Sequence, residues 1–269
     1  RLWLEFASLP HGKKTEQALK FIRSCGQAKR LRDIVSLLRS QASLRVPHEM
    51  LDCHPYLFNA RNGTIDLRTG DFRAHKPDDF LTQLAAVDYN PEARAEPWEL
   101  FVQQAMDDDP ELVRFLQASA GLMLSGDTSP QFLWCHYGRG SNGKSTFLGS
   151  LANMLGDYAT AAPESFLMMR QGAGHPTELA MLYGKRLVTA IECEGGRRMR
   201  ESFVKLITGG DRIAARRMCE DYWDMHPTWH VHVSFNDPPT ITGTDDGIRR
   251  RLKIIPWNAN FQGAKCDTT

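Results

Sequence analysis

Apolar positions first recur at helical spacing. Leu19, Ile22, Leu31, Val35 and Leu38 alternate with Lys20, Arg23, Lys29, Arg32 and Arg39, which predicts helix over residues 15–40, a region ended by Pro47. The pattern then shortens. Tyr56-Leu57-Phe58-Asn59, a turn at Asn62-Gly63, Thr64-Ile65-Asp66-Leu67, and a second turn at Thr69-Gly70 before Phe72 predict a small β-meander. Residues 91–97, bounded by Pro91 and Pro97, read as a linker. Residues 98–106 and 111–124 read as helices, with Pro110 at a first helical position. Asp107-Asp108-Asp109 lies between them and reads as a loop capping the second helix, not as a metal site. From Gln131 onward, strand-like and helix-like runs alternate. Gln131 to Tyr137 is a mostly apolar strand, and Leu148, Leu151 and Leu155 mark a helix that closes at Gly156. Leu187 to Ile191 has the pattern of a strand buried on both faces. Met199, Phe203, Leu206 and Ile207 mark a helix face that stops at Gly209-Gly210. Trp229 to Phe235 alternates, with Val231, Val233 and Phe235 on one side and His230, His232 and Ser234 on the other. Ile254-Ile255 forms a last apolar run, and no internal repeat is visible.

Composition narrows the class. The hydrophobic fraction of 42% suits a globular core, and no apolar run is long enough to span a bilayer. Six scattered cysteines without a C-x-x-C pair argue for reduced thiols and against a zinc site. His226, His230 and His232 are explained by polar positions on a strand face without a metal. The chain begins at Arg1 without a methionine and shows no signal peptide, so it reads as an excised fragment with a shortened C-terminus. Net charge is +1, but residues 1–50 carry ten Lys/Arg against four Asp/Glu, whereas residues 51–130 carry six against fourteen. The basic first segment fits either nucleic-acid contact or a solvated helix face. These shifts divide the chain into a basic helical segment (1–50), a small α+β domain (51–127) and an α/β domain (128–269), with the boundary at Gly126 to Pro130.

The third region carries the chemistry. Gly138-Arg139-Gly140-Ser141-Asn142-Gly143-Lys144-Ser145 reads G-x-x-x-x-G-K-S, the phosphate-binding loop of P-loop NTPases, and Thr146 follows it. Glycines let successive backbone N–H groups turn toward phosphate oxygens. Lys144 can reach the β- and γ-phosphates, and the Ser145 hydroxyl can ligate Mg²⁺. Strand, loop and helix follow in the order that aims a helix N-terminus at an anion. Glu192 and Glu194 stand at the end of the Leu187–Ile191 strand, where ligands bind in open α/β sheets. One carboxylate can hold Mg²⁺ through water and the other can orient the attacking water. Asn236 ends the alternating strand and offers an amide to a γ-phosphate or to that water.

The order of these motifs resembles the superfamily-3 helicases, in particular the helicase part of phage and plasmid primases and of the poxvirus primase-helicase. The likeness is carried by residues 138–146, 186–194 and 205–212, by Ser234-Phe235-Asn236-Asp237-Pro238-Pro239, and by residues 247–256. Residues 54–124 look like the smaller domain that precedes the ATPase in that family. The resemblance implies an AAA+-like P-loop core with a central, mostly parallel sheet, preceded by a smaller α+β or helical domain. It further implies a homo-oligomeric, hexameric ring around single-stranded or forked DNA, ATP-driven 3′-to-5′ unwinding at a replication fork, and residence in the cytoplasm of a bacterial host. It places Lys144 and Ser145 on ATP and Mg²⁺, Glu192 and Glu194 as the acidic motif, with Glu192 by the metal, and Asn236 as the γ-phosphate sensor. One of Arg250 and Arg251 becomes the finger that reaches a neighbour's ATP. Arg249 stands where the family tends to have an aromatic residue, so three consecutive arginines leave the choice open. A DNA-gripping hairpin is implied near residues 211–225, with Arg216 and Arg217 at its tip and Lys205 and Arg212 beside it; a solvated loop of paired Arg and Asp is the other reading. No primase domain is present in this chain.

Two other functions compete. A nucleotide kinase would need an Arg-rich lid between two parallel strands, and none is visible. A DNA-binding scaffold that uses ATP only to hold an oligomer together would have no need of Glu192 and Glu194.

Overall fold

The structure, a computed structural model, describes residues 13–41, 44–163, 166–169, 177–192, 198–237, 240–241 and 246–261, with only the backbone of Glu192. The chain divides into two compact units, Arg1–Met50 and Leu51–Thr269. In the first, helices α1 (Lys13–Cys25) and α2 (Ala28–Ser40) replace the single helix expected over residues 15–40, because the chain breaks at Gly26-Gln27. Both are amphipathic, and α2 has no buried residue.

The second unit opens with a three-stranded antiparallel meander, β1 (Leu57–Ala60), β2 (Gly63–Asp66) and β3 (Phe72–Arg73). Helices α3 (Glu96–Ala105) and α4 (Pro110–Leu124) follow. Asp109 caps α4, its Oδ1 accepting from Glu111 N at 2.8 Å and Leu112 N at 3.2 Å, as the run of three aspartates predicts. The rest is α/β: β4 (Leu133–Tyr137), α5 (Lys144–Leu155), β5 (Ala159–Ala161), α6 (Thr177–Ala180), β6 (Leu187–Glu192), α7 (Glu201–Thr208), the hairpin β7 (Ile213–Ala215) and β8 (Trp223–Met225), β9 (His230–Phe235), α8 (Asp246–Arg249) and β10 (Leu252–Pro256).

Five of these strands form one parallel sheet in the order β10-β4-β9-β6-β5. Helices cover both faces, which is why β4 and β6 read as apolar runs, while β9 carries its buried histidines on one face. On one face, Leu133 and Cys135 of β4 and Val231, Val233 and Phe235 of β9 pack with Phe203, Val204 and Ile207 of α7. On the other, Trp134 packs with Phe147, Leu148 and Leu151 of α5 and with α3, α4 and the meander. The small α+β segment therefore lies against the same sheet face as α5, a packing reinforced by Trp98 stacked on Phe147 at 5.4 Å. Because all five strands run the same way, their carboxyl ends share one edge. That edge is where the loop after β4 turns into α5.

Candidate nucleotide site

The loop from Gly138 to Gly143 is shaped by what its glycines omit. A Cβ on Gly138 would fall 2.3 Å from Asn142 Nδ2 and 2.4 Å from Trp257 O. Gly143 sits at φ +90°, where an L side chain is strained. Above Gly140, at φ +100°, nothing lies within 4 Å of a built Cβ, so the loop's mouth is open. A second clamp comes from the chain after β10. Asn142 Nδ2 donates to Trp257 O at 3.1 Å, and Phe261 N donates to Ser141 O at 2.8 Å.

Lys144 begins α5 and is buried. Its ammonium donates to Gly138 O and, at 3.1 Å, to Asn142 Oδ1, both in its own loop. Burial holds it below the usual lysine range. Ser145 and Thr146 are exposed at the helix start. The cleft beside them has a volume of about 510 Å³ and is lined by the loop from Gly140 to Thr146, by Thr189 and Ile191 of β6, and by Ser234 and Asn236 at the end of β9. Asn236 is exposed immediately after β9. Glu192, the last residue of β6, pairs in register with Phe235, one residue before Asn236. Glu194 lies outside the described residues.

These features fit a phosphate chain: an open glycine cradle, a buried cation bonded to its own loop, a helix N-terminus, and hydroxyl and amide groups across the cleft. Ser145 offers a hydroxyl ligand to a divalent cation here. Thr189 and Ser234 escaped the sequence reading. Thr189 is the one polar residue between Leu187 and Ile191, and Ser234 stands two residues before Asn236, and those signals could have found them.

Behind the loop runs a buried chain of rings. Trp257 Nε1 donates to His136 Nδ1 at 3.0 Å, which leaves the proton of His136 on Nε2, 3.0 Å from His232 Nδ1. His232 also stacks on Trp134 at 5.6 Å. Burial, helped by the Lys144 charge, pushes His136 down to about 3, and burial drives His232 well below the ordinary histidine value. His226 instead accepts from Arg212 Nε at 3.1 Å.

The three arginines at the end of α8 separate. Arg249 and Arg250 are exposed. Arg251 is buried, donating to Gly247 O at 2.6 Å and to Gln131 Oε1 at 3.0 Å, while Arg250 touches the same Gln131 oxygen at 3.3 Å. The hairpin separates its arginines, with Arg212 at the open end beside His226 and Arg216 and Arg217 at the turn end. Arg216 lies over the Tyr222 ring at 4.9 Å and Arg217 over Trp223 at 5.3 Å. Lys205 is not on the hairpin but on α7, partly exposed.

Another buried cation received no role from the sequence beyond its place in residues 186–194. Arg186, just before β6, donates to Leu124 O at the end of α4, to Leu57 O at 2.5 Å and to His54 O at 3.4 Å, and it lies over the Tyr158 ring at 4.6 Å. It ties the small α+β segment to the sheet.

Residues 5–107 match a family described as D5 N terminal like, and residues 136–251 match a family of unknown function, DUF5906. The chain is 29% identical over 218 residues to "Putative helicase L207/L206" of Acanthamoeba polyphaga mimivirus, covering 78% of this chain and 22% of that protein. It is 22% identical over 279 residues to "Putative helicase 184R" of Invertebrate iridescent virus 6, covering 95% of this chain and 29% of that protein. The chain thus spans less than a third of the length of these curated relatives. Among solved structures it resembles the NrS-1 C terminal region with a TM-score of 0.52 at 14% identity, over 66% of this chain and 41% of that one. That likeness shows the α/β fold.

Proposed function

From the premise that the chain belongs to the phage and viral primase-helicase family, we propose that residues 51–269 are an ATP-driven DNA helicase motor of the superfamily-3 type. The observation that carries this reading is the cleft at the carboxyl edge of the parallel sheet, with the phosphate loop on one side and Ser234, Asn236 and Thr189 on the other. In this reading the loop N–H groups and Lys144 bind the β- and γ-phosphates and neutralise the charge that builds up as the terminal phosphoryl leaves. Ser145 and Glu192 hold Mg²⁺, which when bound polarises the phosphate oxygens. Glu194 orients the attacking water, and Asn236 donates to the γ-phosphate or to that water.

The sites lie between subunits of a ring, hexameric by the family's habit. Arg250, exposed beside α8, reaches the neighbour's phosphate. Lys205, Arg212, Arg216 and Arg217 contact the DNA backbone, where cations supply sequence-independent affinity. Turnover of ATP measured with and without single-stranded DNA, alongside strand separation and the mass of the assembly, tests this. Absence of hydrolysis under both conditions, with the protein folded, would leave a nucleotide-binding scaffold and remove the motor.

A further inference from the structure

The phosphate loop has two flanks, and only one is accounted for by phosphate chemistry. β4 has two neighbours in the sheet, β9 and β10. The polar groups for the terminal phosphate, Asn236, Ser234 and Thr189, stand on the β9 and β6 side. A triphosphate whose terminal end points there directs its nucleoside end to the opposite side, toward β10. On that side the chain after β10 lies along the loop. Trp257 N donates to Tyr137 O at 2.7 Å, Trp257 O accepts from Asn142, and Phe261 N donates to Ser141 O.

This path places Phe261 beside the loop, where it meets Phe101 of α3. The two rings are 6.1 Å apart at 33°, and both are half-buried. A Cβ on Gly143 would lie 2.9 Å from the Phe101 ring and 3.4 Å from that of Phe261, so both rings rest against the loop where it enters α5. The core phenylalanines differ: Phe147, Phe166 and Phe235 are at most 3% exposed. Trp98 backs Phe101 at 5.5 Å and is itself stacked on Phe147 of α5, which gives the pair a stiff support. Partly exposed ring faces next to an anion cradle suit the flat face of a nucleobase.

We propose that Phe101 and Phe261 form the platform on which the base of the bound nucleoside triphosphate stacks, so that the segment matched as D5 N terminal like supplies one wall of the nucleotide site. The proposal rests on the nucleotide reading of the phosphate loop. It makes α3 a sensor of the nucleoside, while Lys144 and the loop sense the phosphates.

The test separates base from phosphate. Binding of ATP and of inorganic tripolyphosphate, each with Mg²⁺, is measured by calorimetry on the full chain. Tripolyphosphate carries the phosphate chain without a base. Wild-type protein should prefer ATP. Phe261→Ala and Phe101→Ala should each weaken ATP binding roughly tenfold or more and leave tripolyphosphate binding unchanged. Phe261→Tyr, which keeps the ring, should retain ATP affinity. Parallel loss of both ligands would make the rings structural supports of the loop and overturn the platform, as would unchanged ATP affinity in both alanine variants. Wild-type protein that binds tripolyphosphate as tightly as ATP overturns the platform alone. Wild-type protein that binds neither removes the nucleotide reading and the platform with it.

Discussion

Arg186 and Lys144 are both buried cations of the five-stranded sheet, 4% and 5% exposed, at opposite ends of its strands. Arg186 stands at the amino end of β6 and Lys144 at the carboxyl edge beyond β4. Their partners differ in kind. Arg186 bonds three carbonyls from two segments, His54 and Leu57 being 132 and 129 residues away in sequence and Leu124 62, and is flanked by the Tyr158 and Phe58 rings. Among the described residues Lys144 bonds only Gly138 and Asn142, six and two residues away, beside an open cleft. A cation held by distant acceptors joins parts of a fold together. One held by its own loop can exchange those partners for phosphate oxygens without disturbing the rest. Desolvation lowers the pKa of both, but a guanidinium starts so high that Arg186 stays charged.

Substitution should separate the two ends. Arg186→Met keeps a similar length but leaves three carbonyls without their donor, so unfolding stability should fall by about 3 kcal/mol. Denaturant unfolding checks this. The comparison breaks if Arg186→Met is as stable as the parent, or if it abolishes ATP binding while the protein remains folded.

Lys144→Ala should do the reverse. It removes the cation nearest the transferring phosphoryl group, and ATP turnover should drop a hundredfold or more, about 2.7 kcal/mol in the barrier. Its stability should hold or rise, since a desolvated ammonium leaves the interior. Steady-state ATPase and unfolding assays on the same sample test both halves, and a variant that loses stability but not turnover would exchange the two roles.

Between the two ends lie the buried histidines. Burial keeps His136, His230 and His232 neutral in the fold, with His136 down to about 3 and His230 down to about 4. In the unfolded chain they titrate near 6.5. Below that pH the unfolded state binds protons that the folded state refuses, so stability is complete above pH 6.5 and is lost as pH falls toward the folded values. At pH 5.5 each such histidine should subtract about 1.4 kcal/mol. Unfolding at pH 7.5 and 5.5 measures the loss, and His136→Phe should reduce its slope by about one proton. A stability that is flat over this interval would mean that these rings are hydrated.

What the sequence disclosed, and what it hid, follows the same division between local and distant partners. The phosphate loop, β4, α5 and the Asp109 cap depend on residues within a few positions of one another, and each is legible from spacing. The Arg186 clamp depends on Leu57 and Leu124, and the ring chain on Trp257 and His232, at separations of 62 to 129 residues, so no local pattern could announce them. Gly63 is instructive because its neighbourhood misleads. Asn62-Gly63 reads as a turn, yet Gly63 is in β2, and a Cβ there would lie 2.5 Å from Arg73 O across the meander. Its glycine serves a close approach between strands. Asn62 fixes another loop, accepting from Tyr89 N at 2.8 Å and donating to Tyr89 O at 2.9 Å.

The same contrast recurs between two adjacent residues, and there the expected signal is smallest. Arg251 is buried and bonded to Gly247 O and Gln131, which resembles the Arg186 arrangement, whereas Arg250 is exposed. An arginine finger must leave its own subunit to reach the phosphate of the next. Arg250 would give up one exposed bond, to Gln131 Oε1, in order to extend; Arg251 would first have to break its buried contacts to Gly247 O and Gln131. Arg250→Ala should therefore bind ATP but not turn it over, and Arg251→Ala should show up mainly as lost stability. Mixing Arg250→Ala with Lys144→Ala then gives some interfaces in which an intact loop faces an intact finger. In an equimolar random mixture about a quarter of the interfaces are of this kind, so about a quarter of the parental turnover should return. Two fingers acting within their own subunits would give no recovery at any ratio, since no mixed ring then holds a complete site. Mixed assembly is confirmed by mass. Recovery with Arg251→Ala in place of Arg250→Ala would mean that a buried, helix-bonded arginine can still act on a neighbour, and would break the rule drawn from Arg186 and Lys144.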